Sequence, residues 1–135
     1  MKQNRRIVRF LIVGFIVAAL TGCNGNTNTI QSCVISHEQY TEKEALEKAV
    51  QPDQFDKNQA IYASVYFIES PLGTEYTAKW SVDDKEVKTE TQAMQTDKCG
   101  IMVFSLDADK VTAGTAKFEV VYGEDVLLSK ELIVQ

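Results

Sequence analysis

The chain has a single histidine, His37, and it stands beside Glu38. An imidazole acts as a general base only when the fold also sets a nucleophile and an orienting acid around it. Ser and Thr are plentiful, but no Ser-His-Asp set can be built on this one His, which reads as a solvated side chain. A zinc site takes three or four Cys, His or carboxylate ligands, and such groups are too sparse here. Asp83-Asp84 and Asp107-x-Asp109 offer the oxygen ligands that calcium prefers. Asp is equally a turn former, and the turn reading is the one adopted. There is no Gly-rich phosphate loop, and no Cys lies in a Cys-x-x-Cys pair. The expectation is no catalytic residue, no metal and no cofactor, hence not an enzyme.

The strongest chemical signal is at the N-terminus. Lys2, Arg5, Arg6 and Arg9 make a basic start, and no acidic residue precedes Glu38. An apolar run follows over residues 10–20, interrupted only by Gly14. It is shorter than the roughly 20 residues a bilayer span needs. A basic start, a short apolar core and a small-residue site are the three parts of a secretory signal peptide. The run ends in Leu20-Thr21-Gly22-Cys23, which resembles the lipobox of bacterial lipoproteins. The resemblance implies cleavage between Gly22 and Cys23 and acylation of the Cys23 thiol. It also implies export and attachment to the cell membrane through lipid, facing the outside or the periplasm. A diacylglyceryl group supplies the two chains that stable anchoring requires. The alternative is an uncleaved anchor with an incidental Cys, since extending the run back to Ile7 gives about sixteen residues.

Four of the 14 basic residues precede Cys23, so ten remain against 19 acidic ones, a formal charge of −9. So acidic a domain is repelled by nucleic acid and by anionic headgroups. No nucleic acid partner is expected, and the membrane contact is the lipid. With Cys23 assigned to lipid, Cys33 and Cys99 remain. Two thiols in an exported chain suggest a disulfide, closing a loop of about 66 residues and adding roughly 4 kcal/mol by loop entropy. The other reading is two separate thiols.

Residues 24–32 are rich in Asn, Thr and Gly, the composition of a flexible spacer. Cys33-Val34-Ile35 either pairs weakly or packs beneath a bridge. Residues 41–50 are ambiguous. Thr41 and Glu44 have capping-box spacing and Ala45 to Ala49 favour helix. An irregular first strand over 46–50 suits the β-rich remainder of the chain, and the strand is preferred. From Ile61 the pattern is β. Residues 61–68 are β-branched and aromatic, and end at the turn signal Ser70-Pro71-Leu72-Gly73. Tyr76, Ala78, Trp80 and Val82 alternate with polar residues. Asp83-Asp84-Lys85 is a turn, and residues 86–91 suit a charge-guarded edge strand. Residues 101–106 are a further apolar run with Phe104 and Leu106 inward. Ala116, Phe118, Val120 and Tyr122 alternate again after the 112–114 turn, Gly123-Glu124-Asp125 turns, and residues 126–134 form the last strand. The expected organisation is signal peptide 1–22 in helical form, lipidated Cys and flexible linker 23–40, and one domain over 41–135.

About seven strands spaced by turns read as an all-β, antiparallel β-sandwich. Trp80 mid-strand, followed by Val82, the Asp83-Asp84-Lys85 turn and Val87, resembles the third-strand region of immunoglobulin-like domains. Phe104-x-Leu106 and Gly114-x-Ala116-x-Phe118 resemble the later stretch where that family places a strand, a turn glycine, a Tyr and a Cys. Ala116 stands at the corner Tyr position and Phe118 at the second core Cys. No cysteine lies in the 61–68 strand. The resemblance therefore implies an immunoglobulin-like sandwich without its inter-sheet disulfide, with Phe118 packed on Trp80. Trp80, Phe104, Leu106, Phe118 and Val120 are the expected core. Tyr62 and Tyr66 fall on the face opposite Ala63, Val65 and Phe67, and are candidates for a contact surface.

The function this suggests is a non-enzymatic binding or structural module at the cell envelope. Its partner would be an envelope protein, a polysaccharide or a host molecule. Two alternatives stand beside it. One is a protease inhibitor acting through loops at one end of the sandwich, residues 70–73 and 123–125. The other is a solute-capture lipoprotein or envelope enzyme, which would need a pocket well above 300 Å³ with convergent polar groups.

Overall fold

The computed structural model describes residues 29–135. Gly22, Cys23, the expected signal peptide and the start of the expected spacer lie outside the described residues. The described chain forms two sheets. Strands β1 (Ile30–Ser36), β3 (Ile61–Ser70) and β6 (Lys98–Leu106) make a three-stranded antiparallel sheet in the order β1-β3-β6. Strands β2 (Gln54–Phe55), β4 (Glu75–Val82), β5 (Lys85–Ala93), β7 (Gly114–Tyr122) and β8 (Asp125–Val134) make the other, in the order β2-β8-β7-β4-β5. All pairings are antiparallel except β2 with β8, which are parallel over Gln54↔Ile133 and Phe55↔Val134. The sandwich class is as expected. Its start is not, because β1 lies inside the stretch read as linker, so the domain begins at residue 30 rather than 41. A polar spacer composition concealed a strand whose partner, β3, lies about 30 residues away and fixes its register.

Alternation in β4, β7, β6 and β3 puts their apolar residues between the sheets. Ile61, Ala63, Val65, Phe67, Phe104 and Leu106 from one sheet meet Ala78, Trp80, Ala116, Phe118 and Val120 from the other, all buried. Trp80 and Phe118 face each other across neighbouring strands and their rings lie 4.6 Å apart.

Two hairpins use the turn geometry their residues allow. Asp83 (φ 50°) and Asp84 (φ 69°) form the two-residue loop between Val82 and Lys85, both left-handed as a type I′ turn requires. Asp83 Oδ1 accepts from the Thr115 N–H at 2.9 Å. Its carboxylate is thereby committed to joining two strands. Gly123 (φ 63°) opens the β7–β8 turn between Tyr122 and Asp125, where only a residue tolerating positive φ fits easily.

Both free edges of the smaller sheet are closed by a lysine and a glutamine from elsewhere. On β1, the Gln51 amide donates to Ile35 O at 2.7 Å and accepts from Ile35 N–H at 2.9 Å, as a neighbouring strand would. Lys130 Nζ of β8 donates to Cys33 O at 2.8 Å. On β6, Lys88 Nζ donates to Ser105 O at 2.7 Å and Gln92 Nε2 to Val103 O at 3.0 Å. These four side chains satisfy edge carbonyls that would otherwise invite a foreign strand.

Residues 41–50, read preferentially as a strand, form a short helix instead, α1 (Lys43–Lys48). One buried residue, Leu46, anchors it. Six residues are too few for a helix to stand alone, and packing against β1 supports this one. Tyr40 N–H donates to Ser64 Oγ at 3.0 Å, and Lys43 Nζ sits 5.5 Å from the Tyr66 ring. The helical segment thus covers the outer face of the small sheet. Tyr62 and Tyr66, proposed as a contact surface, are half-buried there.

The expected Cys33–Cys99 bridge is absent, and both thiols are free. Cys33 is opposite Val65 and so faces inward, while Cys99 is exposed, beside outward-facing Tyr66. Strand β3 separates them, so their backbones are at least two strand spacings, roughly 9.6 Å, apart. A disulfide spans at most about 6.8 Å between Cα atoms. Sequence separation could not reveal that the two lie on opposite faces. Burial pushes the Cys33 thiol up to about 11, against a weaker opposing pull from the Lys130 ammonium. Cys33 is therefore a neutral thiol near pH 7. Ellman's reagent on native protein is expected to label Cys99 at once and Cys33 only after denaturation. Equal rapid labelling of Cys99→Ser and Cys33→Ser variants would contradict this placement.

Candidate functional site

The two loops singled out in the sequence come together at one end of the sandwich. The turn after β3 and the start of β8 flank a cleft of about 350 Å³ lined by Thr29, Glu69, Pro71, Thr74, Tyr76, Tyr122, Asp125 and Leu127. The first turn is built by Pro71, whose carbonyl accepts from Thr74 N–H at 3.1 Å and from Thr74 Oγ1 at 2.8 Å. Gly73 (φ 89°) passes its N–H to Met94 O at 3.0 Å, tying this turn to the β5–β6 connection. Thr29 O accepts from Ile68 N–H at 2.7 Å, which fixes the start of the described chain to the same rim.

Two β-bulges bring residues into the cleft. Along β3 the register slips between Phe67 and Ser70, and Glu69 takes φ 52°. Along β8 it slips opposite Val120 and Val121, leaving Leu127 as the extra residue. A bulge bends its strand and re-aims a side chain. Here the two redirected residues, Glu69 and Leu127, both line the cleft.

The floor is aromatic. Tyr76 is buried, stacks on Phe67 at 4.3 Å and shares a 2.6 Å hydrogen bond between its hydroxyl and the Ser70 hydroxyl. Tyr122, 51% exposed, lies 5.7 Å from Tyr76. Glu69 and Asp125 add two carboxylates, and neither forms an ion pair among the described residues. Among the described residues the same end carries Glu75, Asp97 and Glu124, against Lys98 alone. Acids and phenol rings favour positive charge, by Coulomb attraction and by the ring quadrupole.

His37 sits elsewhere. Its Nδ1 donates to Ala60 O at 2.8 Å, Nε2 accepts weakly from Asp56 N–H at 3.4 Å, and its ring meets Phe55 edge-on. These contacts hold the entry to β3 at the opposite end. Among the described residues, no group of three or more His, Cys, Asp or Glu comes together.

No family model matches the chain, and no curated protein does either. Among solved structures, an immunoglobulin-like protein from Pseudomonas aeruginosa aligns with a TM-score of 0.53 at 11% identity, covering 79% of this chain and 94% of that one. The fold is immunoglobulin-like. A CARDB domain from Pyrococcus furiosus, solved with di-metal ions, covers 80% of this chain and 90% of its own at 9% identity and a TM-score of 0.39. That likeness is too distant to bear on this protein.

In this immunoglobulin-like domain, β3, β4, β7 and β8 take the places of strands B, C, F and G. The cleft therefore lies between the B–C and F–G loops. Sequence reasoning found the two loops but missed Thr29, Glu69, Thr74, Tyr76, Tyr122 and Leu127. Tyr76 and Tyr122 were hidden by alternation, which assigns both to the core. The available hint was that Tyr122 immediately precedes a turn glycine.

Proposed function

We propose that this protein is a lipid-anchored, non-enzymatic binding module of the cell envelope that meets its partner at the B–C and F–G loop end. The observation that carries the proposal is the convergence of both loops and the start of β1 on one cleft. The lipobox-like Leu20-Thr21-Gly22-Cys23 supports the anchor. Five residues separate Cys23 from Thr29, and the six steps between them reach about 20 Å at most. The recognition end would then lie on the membrane side of the domain, placing a partner close to the bilayer. At about 350 Å³ the cleft is at the lower limit of small-molecule sites, which favours part of a larger partner over a captured solute.

A photo-crosslinking residue tests this in cells. Placed at Tyr122 it is expected to trap one dominant envelope partner, and placed at Asp84, at the far end, to trap none. Capture from Asp84 with none from Tyr122 would overturn the assignment of the loop end.

A further inference from the structure

The cleft continues into an unpaired strand edge. β2 pairs with β8 only at Ile133 and Val134. From Asp125 to Leu132 the outer edge of β8 has no strand partner among the described residues. Lys130 crosses the seam to Cys33 O, but residues 125–129 lie beyond it, toward the cleft. Val126 there is 56% exposed. Unlike the edges of the small sheet, this segment carries no capping lysine or glutamine at its cleft end among the described residues. It does carry the Leu127 bulge, which disrupts the ladder locally and limits pairing with a long flat strand.

We infer that an extended peptide adds as a strand along residues 125–129 of β8 and places a lysine or arginine side chain in the cleft. Main-chain hydrogen bonds to the open edge would supply affinity, and the pocket would supply side-chain selection, the usual division in strand addition. Charge complementarity chooses the side chain. Glu69 and Asp125 are unpaired among the described residues, and the half-exposed Tyr122 ring lines the same cleft. The aliphatic stem of Lys or Arg suits Leu127 and Pro71, which line the same cleft. The inference rests on the loop-end reading and adds the chemistry of the partner.

The test uses the full chain in detergent micelles and fluorescent, end-blocked hexapeptides of alternating threonine and valine with one central lysine. Fluorescence anisotropy is expected to show binding of the lysine peptide and about tenfold weaker binding with norleucine in its place. Glutamate in its place should bind more weakly still. Glu69→Gln combined with Asp125→Asn should weaken the lysine peptide about tenfold, while Asp84→Asn leaves it unchanged. N-methylation of alternate peptide amides should abolish binding, because the side chain is kept and the strand donors are lost. Equal affinity for lysine and norleucine would overturn the inference. So would undiminished binding of the N-methylated peptide, or a dimer by light scattering that blocks the edge with a second copy. If these arms fail while Tyr122 still crosslinks to a partner, the peptide chemistry is wrong and the loop-end reading stands. Failure of both removes both.

Discussion

Trp80→Ala is expected to lower the free energy of unfolding by about 3–5 kcal/mol. Domains of this size are stable by about 5–15 kcal/mol, so much of the native population is at stake. The physical cause is volume. Trp80 is fully buried and packs on Phe118 at 4.6 Å. Its truncation leaves a cavity between two sheets whose backbones are each fixed by their own ladders, so the layers close on it only in part. Trp80→Phe should behave differently. The indole Nε1 is buried without a hydrogen-bond partner, a situation costing about 1–3 kcal/mol. Phenylalanine removes that donor and keeps most of the ring. The expected loss is less than half that of alanine, read from urea unfolding by far-ultraviolet circular dichroism. Equal losses for the two variants would show that the indole itself, rather than filled space, is what stabilises the core.

Gly114→Ala is expected to cost about 3 kcal/mol, combining backbone strain of roughly 1–3 kcal/mol with a displaced hydrogen bond. Gly114 has φ 141°, outside the range comfortable for other residues. A Cβ there would stand 2.6 Å from Asp83 Oδ2, so the carboxylate must move. Moving it breaks the Asp83–Thr115 link that joins the β4–β5 hairpin to the start of β7. Asp83→Ala separates the two causes. In that background the steric conflict and the hydrogen bond are already gone, and only the strain remains. The double variant should therefore lose less than the sum of the single losses. Strict additivity in thermal or urea unfolding would mean that Asp83 is indifferent to Gly114, against the close approach described.

The strands legible in the sequence were those with one wet and one dry face. In β4 and β7, Trp80 and Phe118 are buried and their polar neighbours half-exposed, so a period of two marks them directly. The Asp83-Asp84 and Gly123 turns were legible because few residues accept positive φ. β1 was not. Its inward and outward residues are both covered, Ile35 by the core and Val34 on the side where α1 packs, so no alternation survives. α1 was misread because six residues carry little intrinsic preference, and Leu46 decides the matter through a contact made only in the folded chain.

For function, the N-terminal signal depends on local chemistry alone: a basic start, a short apolar run, and Cys23 after Gly22. Composition likewise determined the acidic character of the domain, because charge adds without regard to conformation. The separation of Cys33 from Cys99, the closing of strand edges by Gln51, Lys130, Lys88 and Gln92, and the cleft itself belong to the tertiary structure. The reason is common to all three. Each depends on residues far apart in the chain, and at the cleft two bulges break the very periodicity by which a strand is read, turning Glu69 and Leu127 into one site.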